Sequence, residues 1–351
     1  MIRLKRGPLI GILVANRSKR KAILGRYQRN HDLNLRLCAF TPRDIRWKSR
    51  RIVGLILEDG HWKIKKLPFP KAIYNRCYNK KAKSIQRLKN RIGKKKCFNS
   101  INFFNKWDIF KIIDQSFLKS FVPDTFLYRK ENVLQQLEQY KLLYIKPVYG
   151  NRGKNVHRIE LMENGDFHIS LHSLAPTYVC RSPEDFQVTI DKLLGNDHFI
   201  VQQGIRSSLL DQQLFDIRVL VQKNRQGKWS VSTIASRLTY EHYFNTSIYS
   251  DIYDFEQLIP RIGPISELIL QSLHQKSINV AQLVEAKVGL LGEVSVDYIL
   301  DENGKLWIIE LNGSPQKSIY DDMENFQDEK VIYQRPIEYA YFLSRLRKKS
   351  K

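Results

Sequence analysis

Acidic side chains are nearly missing from the first hundred residues, which hold 29 Lys and Arg but only four Asp and Glu. The remainder is close to neutral, with 30 basic and 31 acidic residues, so the formal charge of +24 lies almost wholly in the N-terminal part. Long apolar runs are also lacking. None approaches the length of a membrane span, and the first, residues 9–15, is too short and too poorly flanked for a secretion signal. A soluble, cytoplasmic protein is therefore expected. The four cysteines, Cys38, Cys77, Cys97 and Cys180, are irregularly spaced without metal-type pairs, which reads as reduced structural thiols. No Ser/His/Asp or Cys/His arrangement stands out, no Walker-type loop is present, and there is neither an internal repeat nor a low-complexity segment.

What is present suffices for packed cores. With 351 residues, 42% hydrophobic and 11% aromatic, the chain should form two or three domains. The basic N-terminal field would attract polyanions and speed their arrival without saying anything about fold. Runs such as Arg17–Lys21 and Lys94–Lys96 could meet nucleic acid, an acidic peptide or an anionic wall polymer, and a solvated basic surface with no dedicated partner reads the same way.

Residues 1–98 have the pattern of an α/β domain, with apolar runs of strand length at 8–14 and 52–57. A further strand near residue 72 would present Tyr74, Asn75 and Arg76 at its end, where ligand crevices of open α/β sheets lie, so these three are candidate substrate contacts. A plain edge strand fits equally. The basic stretch 79–99 has few large apolar residues and reads as an exposed helix or linker at a domain boundary.

From residue 105 the apolar spacing is helical, and Lys106 stands at the helix start, where the dipole disfavours a cation. After a second helix at 131–140 comes an apolar strand interrupted by Lys146, which in a sheet interior needs an anion or must lose its charge. The following Gly150-Asn-Arg-Gly153 loop can turn several N–H groups toward one point, as phosphate cradles do. An ordinary hairpin would look similar. Strands are expected at 198–205, 214–222 and 229–238, and a helix at 183–194. Asp216 and Arg218 share one strand face, and Arg237 ends the next strand; two arginines aimed into a crevice suit phosphate or carboxylate. Exposed strand arginines balanced by Asp216 and Glu241 are the alternative. Helices follow at 255–274 and 280–287, with a closing helix at 331–346.

Residues 292–315 read as two strands around Asn303-Gly304. If those two form the loop, with both at positive φ, Glu302 pairs with Lys305 and Asp297 lies opposite Glu310, with Asn312 on the same face. Facing carboxylates repel, and a divalent cation would remove that penalty. A solvated hairpin whose charges align by chance would give the same spacing.

Lys106, Lys146 with its glycine loop, the strand 199–205, Asp216-Ile-Arg218, and Asp297 with Glu310-Leu-Asn312 occur in an order that resembles the ATP-grasp superfamily. The wording at Tyr74-Asn-Arg, Lys106-Trp-Asp-Ile-Phe and Phe215-Asp-Ile-Arg-Val-Leu-Val is similar to that of the endospore coat-associated, YheC/YheD-type ATP-grasp proteins over nearly the whole length. The resemblance implies an α/β ATP-grasp fold built of α+β subdomains: a Rossmann-like pre-ATP-grasp domain (1–98), a first ATP-grasp subdomain (99–205) and a second (206–351). It further implies ATP and Mg²⁺ (or Mn²⁺). Lys106 and Lys146 would hold phosphates under the loop from Gly150 to Gly153, and Gln202, Gln203 and Ile205 would line the adenine slot. Asp297, Glu310 and Asn312 would bind the metal, and Arg218 and Arg237 would stabilise developing charge. Asn245 would touch substrate, but it is followed by Thr-Ser-Ile-Tyr-Ser where the family shows a glycine pair, which implies an altered acceptor side. The ribose-binding acid has no clear counterpart beyond Asp211.

The implied activity is a carboxylate–amine ligase working through an acyl phosphate, on a carboxylate substrate such as an acidic peptide or polymer and an amine donor. Its rivals are an ATP-grasp kinase and a non-catalytic protein of a spore surface or polyanion. The setting would be cytoplasmic, with spore association as the alternative.

Overall fold

The computed structural model describes residues 7–78, 83–150, 152–195, 198–262 and 266–346. They form three sheets whose inner edges and faces meet around one cleft.

The first sheet has a parallel centre, with Leu9–Leu13 between Arg36–Phe40 and Ala72–Asn75, and Cys97–Phe98 beyond. An antiparallel hairpin, Arg51–Glu58 with His61–Pro68, extends the other edge. Every residue of Leu9–Leu13 is buried, which explains an unbroken apolar run: helices cover both faces. Ile10 and Ile12 pack with Leu24 and Tyr27 of the helix Arg20–Arg29 and with Ile337 and Leu343 of the C-terminal helix Glu329–Arg345. Leu9 and Leu13 face Ile85 and Leu88 of the helix Lys83–Ile92. The stretch read as an exposed helix or linker is thus an amphipathic helix that seals a core, and its two buried apolar residues at i, i+3 suffice for that because the rest of its surface is solvated. Residues 79–82 of that stretch lie outside the described residues.

The second sheet is antiparallel, in the order Tyr178–Cys180, Phe167–Ser170, His157–Leu161, Leu142–Pro147, Phe199–Gln203, Thr125–Leu127. Leu143, Ile145 and Val201 point to a core beneath the helices Val133–Tyr140 and Pro183–Leu194. Period-two alternation then sends Lys146 and Gln202 to the opposite face, toward the cleft.

The third sheet runs Tyr249–Asp254, Trp229–Thr239, Gln213–Lys223, Glu293–Leu300, Leu306–Asn312. Ile217, Val219 and Val221 pack under helices, among them Lys106–Asp114 through Ile109 and Ile113. The expected break between residues 274 and 280 does not exist. One helix runs Ser266–Val288 through that interval, and the helix Phe255–Ile262, which carries Pro260, precedes it; residues 263–265 lie outside the described residues.

The hairpin differs from expectation in a way that restores its result. Its turn is longer, with Leu300 opposite Leu306, the Asp301 carboxylate accepting from the Asn303 and Lys305 N–H groups, and only Gly304 of the expected pair at positive φ (78°). A β-bulge between the Tyr298–Ile308 and Asp297–Glu310 pairs then shifts the register by one. Asp297 ends up opposite Glu310, and Ser295 opposite Asn312.

Candidate active site

A cleft of about 810 Å³ opens between the three sheets. Three of the first sheet's parallel strands end at its wall, and the segments leaving them contribute Lys19, Arg76 and Asn102. That is where ligands meet open α/β sheets.

Lys106 joins the parts. Asn105 caps the helix by accepting from the Asp108 N–H at 3.1 Å, and this fixes the following lysine. The Lys106 ammonium donates to Glu310 Oε1 at 2.6 Å and to the Gly150 carbonyl at 3.4 Å. It therefore links the third sheet to the second sheet's loop, which accounts for a cation at a position the dipole disfavours. Lys146 donates to Gln202 Oε1 at 2.6 Å, and Gln202 donates in turn to Thr125 Oγ1 at 3.2 Å. Burial, reinforced by the nearby Lys106 charge and opposed by Glu310, lowers the Lys146 ammonium to about 8. It has no carboxylate within ion-pair distance among the described residues. A half-buried lysine in that condition is a seat for an anion.

On the third sheet, cross-strand register sets the charges in a row. Arg218 lies opposite Asp297 and grips both its oxygens, at 2.7 and 2.6 Å. Arg237 lies opposite Asp216 and holds it bidentately, and its guanidinium is also 3.8 Å from Asp297. Burial by itself would raise the Asp297 carboxyl, but the Arg218 guanidinium overcomes this and holds it below the ordinary aspartate range. Asn312 Nδ2 donates to Asp297 Oδ2 at 3.3 Å, which leaves its amide oxygen available. Among the described residues no three acids, cysteines or histidines converge on a metal-sized site. The set here is two carboxyl groups and an amide: hard oxygens without thiolate or imidazole, which fits Mg²⁺ or Mn²⁺ and not zinc.

The loops over the cleft are tied together. Gly153 has φ 62°, and a side chain there would run into the Asn245 amide, which donates to the Gly153 carbonyl at 3.4 Å. Thr246, next along the loop after Asn245, donates to Asp216 at 2.7 Å. His172 and Leu174 pair with Phe244 and His242, so the second sheet's outer loop is strapped to the third sheet's.

Gly150, Gly153, Gln202, Gln203, Ile205, Asn245 and Arg76 all line the cleft with the lysines, arginines and acids named above. Three sequence candidates do not. Tyr74 is 1% exposed, its hydroxyl donating to Glu293 inside a buried cluster with Tyr27 and Lys317. Asn75 is 3% exposed and spends its side chain on the Asn99 carbonyl and the Cys77 N–H. The strand end that should have presented them is covered by the third sheet and the C-terminal helix, so only Arg76 reaches the cleft. Asp211 sits at positive φ in an exposed turn, paired with Arg261 away from the cleft.

Sequence reasoning missed Lys19, Thr246 and Asn99. Asn99 donates to the Glu293 and Gly313 carbonyls and accepts from the Gly292 N–H, binding the first sheet to the hairpin's start. A lone asparagine after a two-residue strand leaves no periodic signal. All four cysteines are free and buried, with burial pushing the Cys38 and Cys97 thiols up to about 12. No helix among the described residues is long and apolar enough to cross a membrane.

Comparison with known proteins gives the family and the fold. Residues 94–343 match the family described as YheC/D like ATP-grasp. The endospore coat-associated protein YheD of Bacillus subtilis (strain 168) is 25% identical over 96% of this chain and 79% of its own. The endospore coat-associated protein YheC of the same organism is 24% identical over 83% of this chain and 84% of its own. Among solved structures, the VanG D-Ala:D-Ser ligase from Enterococcus faecalis superposes with a TM-score of 0.55 over 95% of this chain and 99% of that one, at 12% identity. With a strand lysine and a helix-start lysine facing a carboxylate–carboxylate–amide set across one cleft, the chain has the ATP-grasp fold and belongs to the YheC/D-like ATP-grasp family.

Proposed function

We propose that the protein is an ATP- and Mg²⁺-dependent carboxylate–amine ligase that works through an acyl phosphate. The observation that carries this reading is the convergence, in one cleft, of Lys106 and Lys146 from separate bodies with the opposed pair Asp297 and Glu310. Lys106 and Lys146 would grip phosphates, the loop from Gly150 to Gly153 would close over them, and Gln202, Gln203 and Ile205 would flank the base. Asp297, Glu310 and Asn312 would hold Mg²⁺, which supplies charge neutralisation to a transferring phosphoryl group. Arg218 and Arg237, locked by Asp216 and Asp297, keep fixed positive charge beside that point, so no reorganisation is needed as negative charge grows.

The acceptor end is the wall of the first sheet. Arg76 donates through one nitrogen to the Tyr27 and Tyr74 hydroxyls, at 2.6 and 3.3 Å, and has no carboxylate within ion-pair distance among the described residues. Its remaining N–H groups, together with the exposed Lys19 at the rim, suit an anionic acceptor. A carboxylate oxygen of that acceptor attacks the terminal phosphorus and ADP leaves with the bond's electron pair. An amine then attacks the acyl carbon, phosphate departs, and the amine's proton passes to solvent. Such chemistry needs alignment and charge stabilisation but no covalent protein nucleophile.

The test is incubation with ATP, Mg²⁺ and a panel of acidic peptides with amine donors, with hydroxylamine added to trap acyl phosphate. Hydroxamate with stoichiometric ADP supports the ligase. A stable phosphoester product would replace it with a kinase, and ATP turnover absent across the panel, with Asp297→Ala biologically silent, would leave a binding protein.

A further inference from the structure

Outside the cleft, the first sheet carries a second concentration of charge. The face formed by Leu9, Leu13 and Ile73 is covered by the helix Lys83–Ile92 and by the turn around Trp47. Both covers are basic on their outer sides. On the turn, Arg43, Arg46, Lys48, Arg50 and Arg51 are exposed; on the helix and just beyond it, Lys83, Arg87, Arg91, Lys94 and Lys95 are. The Arg87 guanidinium lies 4.2 Å from the centre of the Trp47 ring, so helix and turn make one continuous surface. None of these residues lines the cleft.

Three features distinguish this surface from an ordinary solvated face. The only acid in residues 42–51 and 83–95 is Asp44, which is buried and bonded to Arg17 and Thr41. Among the described residues, none of the ten exposed cations has a carboxylate within ion-pair distance. Lys83, Arg87 and Arg91 repeat at i, i+4, i+8, a stripe with steps of about 6 Å. Each such like-charge pair weakens an isolated helix, by about 0.2–0.5 kcal/mol. No large hydrophobic residue is exposed in either segment, so the apolar anchors that hold a folded protein partner are lacking.

The geometry points to a docking surface for a polymer with a regularly repeated phosphate backbone, bound independently of the cleft. Its charges would match the helical stripe, Arg would engage phosphate oxygens bidentately, and counterion release would drive binding without reading side groups or bases.

The experiment measures fluorescence anisotropy of a labelled, mixed-sequence 20-nucleotide single-stranded DNA with the full chain between 50 and 200 mM salt. Wild type is expected to bind with a log–log salt slope of about −3 or steeper. Arg87→Gln/Arg91→Gln/Lys94→Gln/Lys95→Gln should lose at least tenfold in affinity and flatten the slope by about 2 to 3, at about 0.7 per phosphate lost. Its melting temperature should stay close to that of wild type, because relief of like-charge repulsion offsets the lost Arg87–Trp47 contact. Lys154, like Lys19, lines the cleft, and Lys19→Gln/Lys154→Gln should bind as wild type. Unlabelled competitors identify the source: long-chain polyphosphate acting as well as the oligonucleotide means phosphates alone are read, and a much stronger oligonucleotide means nucleic acid. The proposal is overturned if the fourfold variant binds as wild type, if the cleft variant loses the DNA instead, or if poly-L-glutamate competes equally at equal charge.

Discussion

Replacing Asp297 by Asn separates a structural role from a metal-binding one, and the structure sets its size. Asp297 accepts two charged hydrogen bonds from Arg218, lies 3.8 Å from Arg237, and its side chain is only 7% exposed. Breaking a buried ion pair from one side costs about 3–5 kcal/mol, because the partner's charge is left uncompensated. The Asn amide oxygen can still accept one bond, which argues for the lower end, about 3 kcal/mol. Relief of repulsion from Glu310 offsets little, since Lys106 already neutralises that carboxylate at 2.6 Å. Glu310→Gln is the comparison. Its side chain is 31% exposed and meets one ammonium, so the loss should be about 1 kcal/mol. At about 2 °C per kcal/mol for a chain of this size, the melting temperature should fall by about 6 °C for Asp297→Asn and about 2 °C for Glu310→Gln, without nucleotide or metal. The pH dependence follows from the lowered folded-state value of Asp297. Its stabilisation is complete above the unfolded aspartate value near 3.9, and is lost as pH falls from there through the folded value. The gap between wild type and Asp297→Asn should therefore hold steady from pH 7 to 5 and close below about 4. Differential scanning calorimetry on the metal-free protein checks both. Equal melting temperatures for wild type and Asp297→Asn would refute the idea that Asp297 holds Arg218 in place.

Other consequences follow from neighbouring contacts. Because Lys146 titrates near 8, nucleotide affinity measured by titration calorimetry should fall as pH rises past about 8, while Lys146→Arg should keep its affinity to pH 10; a wild-type profile flat to pH 10 would contradict this. Gly153→Ala forces a left-handed φ on a residue with a side chain, at about 1–2 kcal/mol, and displaces Asn245; faster proteolytic cleavage in the loop is expected, and an unchanged rate would count against the tie. Thr246→Val removes a bond to Asp216 and should cost about 1.5–3 kcal/mol in thermal or denaturant unfolding, where a neutral result would mean that the loop after Asn245 does not brace Arg237.

Local pattern made much of this protein readable. Lys146 stood out because it interrupts an apolar strand; that it lies opposite Leu143 and Ile145, on the face toward the cleft, came only with the assembled sheet. The Asp297–Glu310 pairing was legible for a weaker reason: the one-residue error in the turn was cancelled by a bulge that no sequence signal announced. What could not be read depends on contacts distant along the chain. The sequence places Asp216 and Arg218 on one strand face, yet each finds its partner on another strand, Arg237 and Asp297, through a register that only the assembled sheet defines. Tyr74 and Asn75 look like crevice residues until the third sheet and the C-terminal helix cover them. Asp211 looked usable because an isolated acid carries no mark of which side of a turn it will occupy.

Under the proposed function, nucleotide and metal share the cleft between the second and third sheets. Calorimetric titration of a non-hydrolysable ATP analogue, with and without Mg²⁺, into wild type and Lys106→Met tests it most directly. Binding to wild type should depend on Mg²⁺ and weaken at least tenfold in the variant. Binding that is indifferent to both Mg²⁺ and Lys106, or no binding at all, would contradict it.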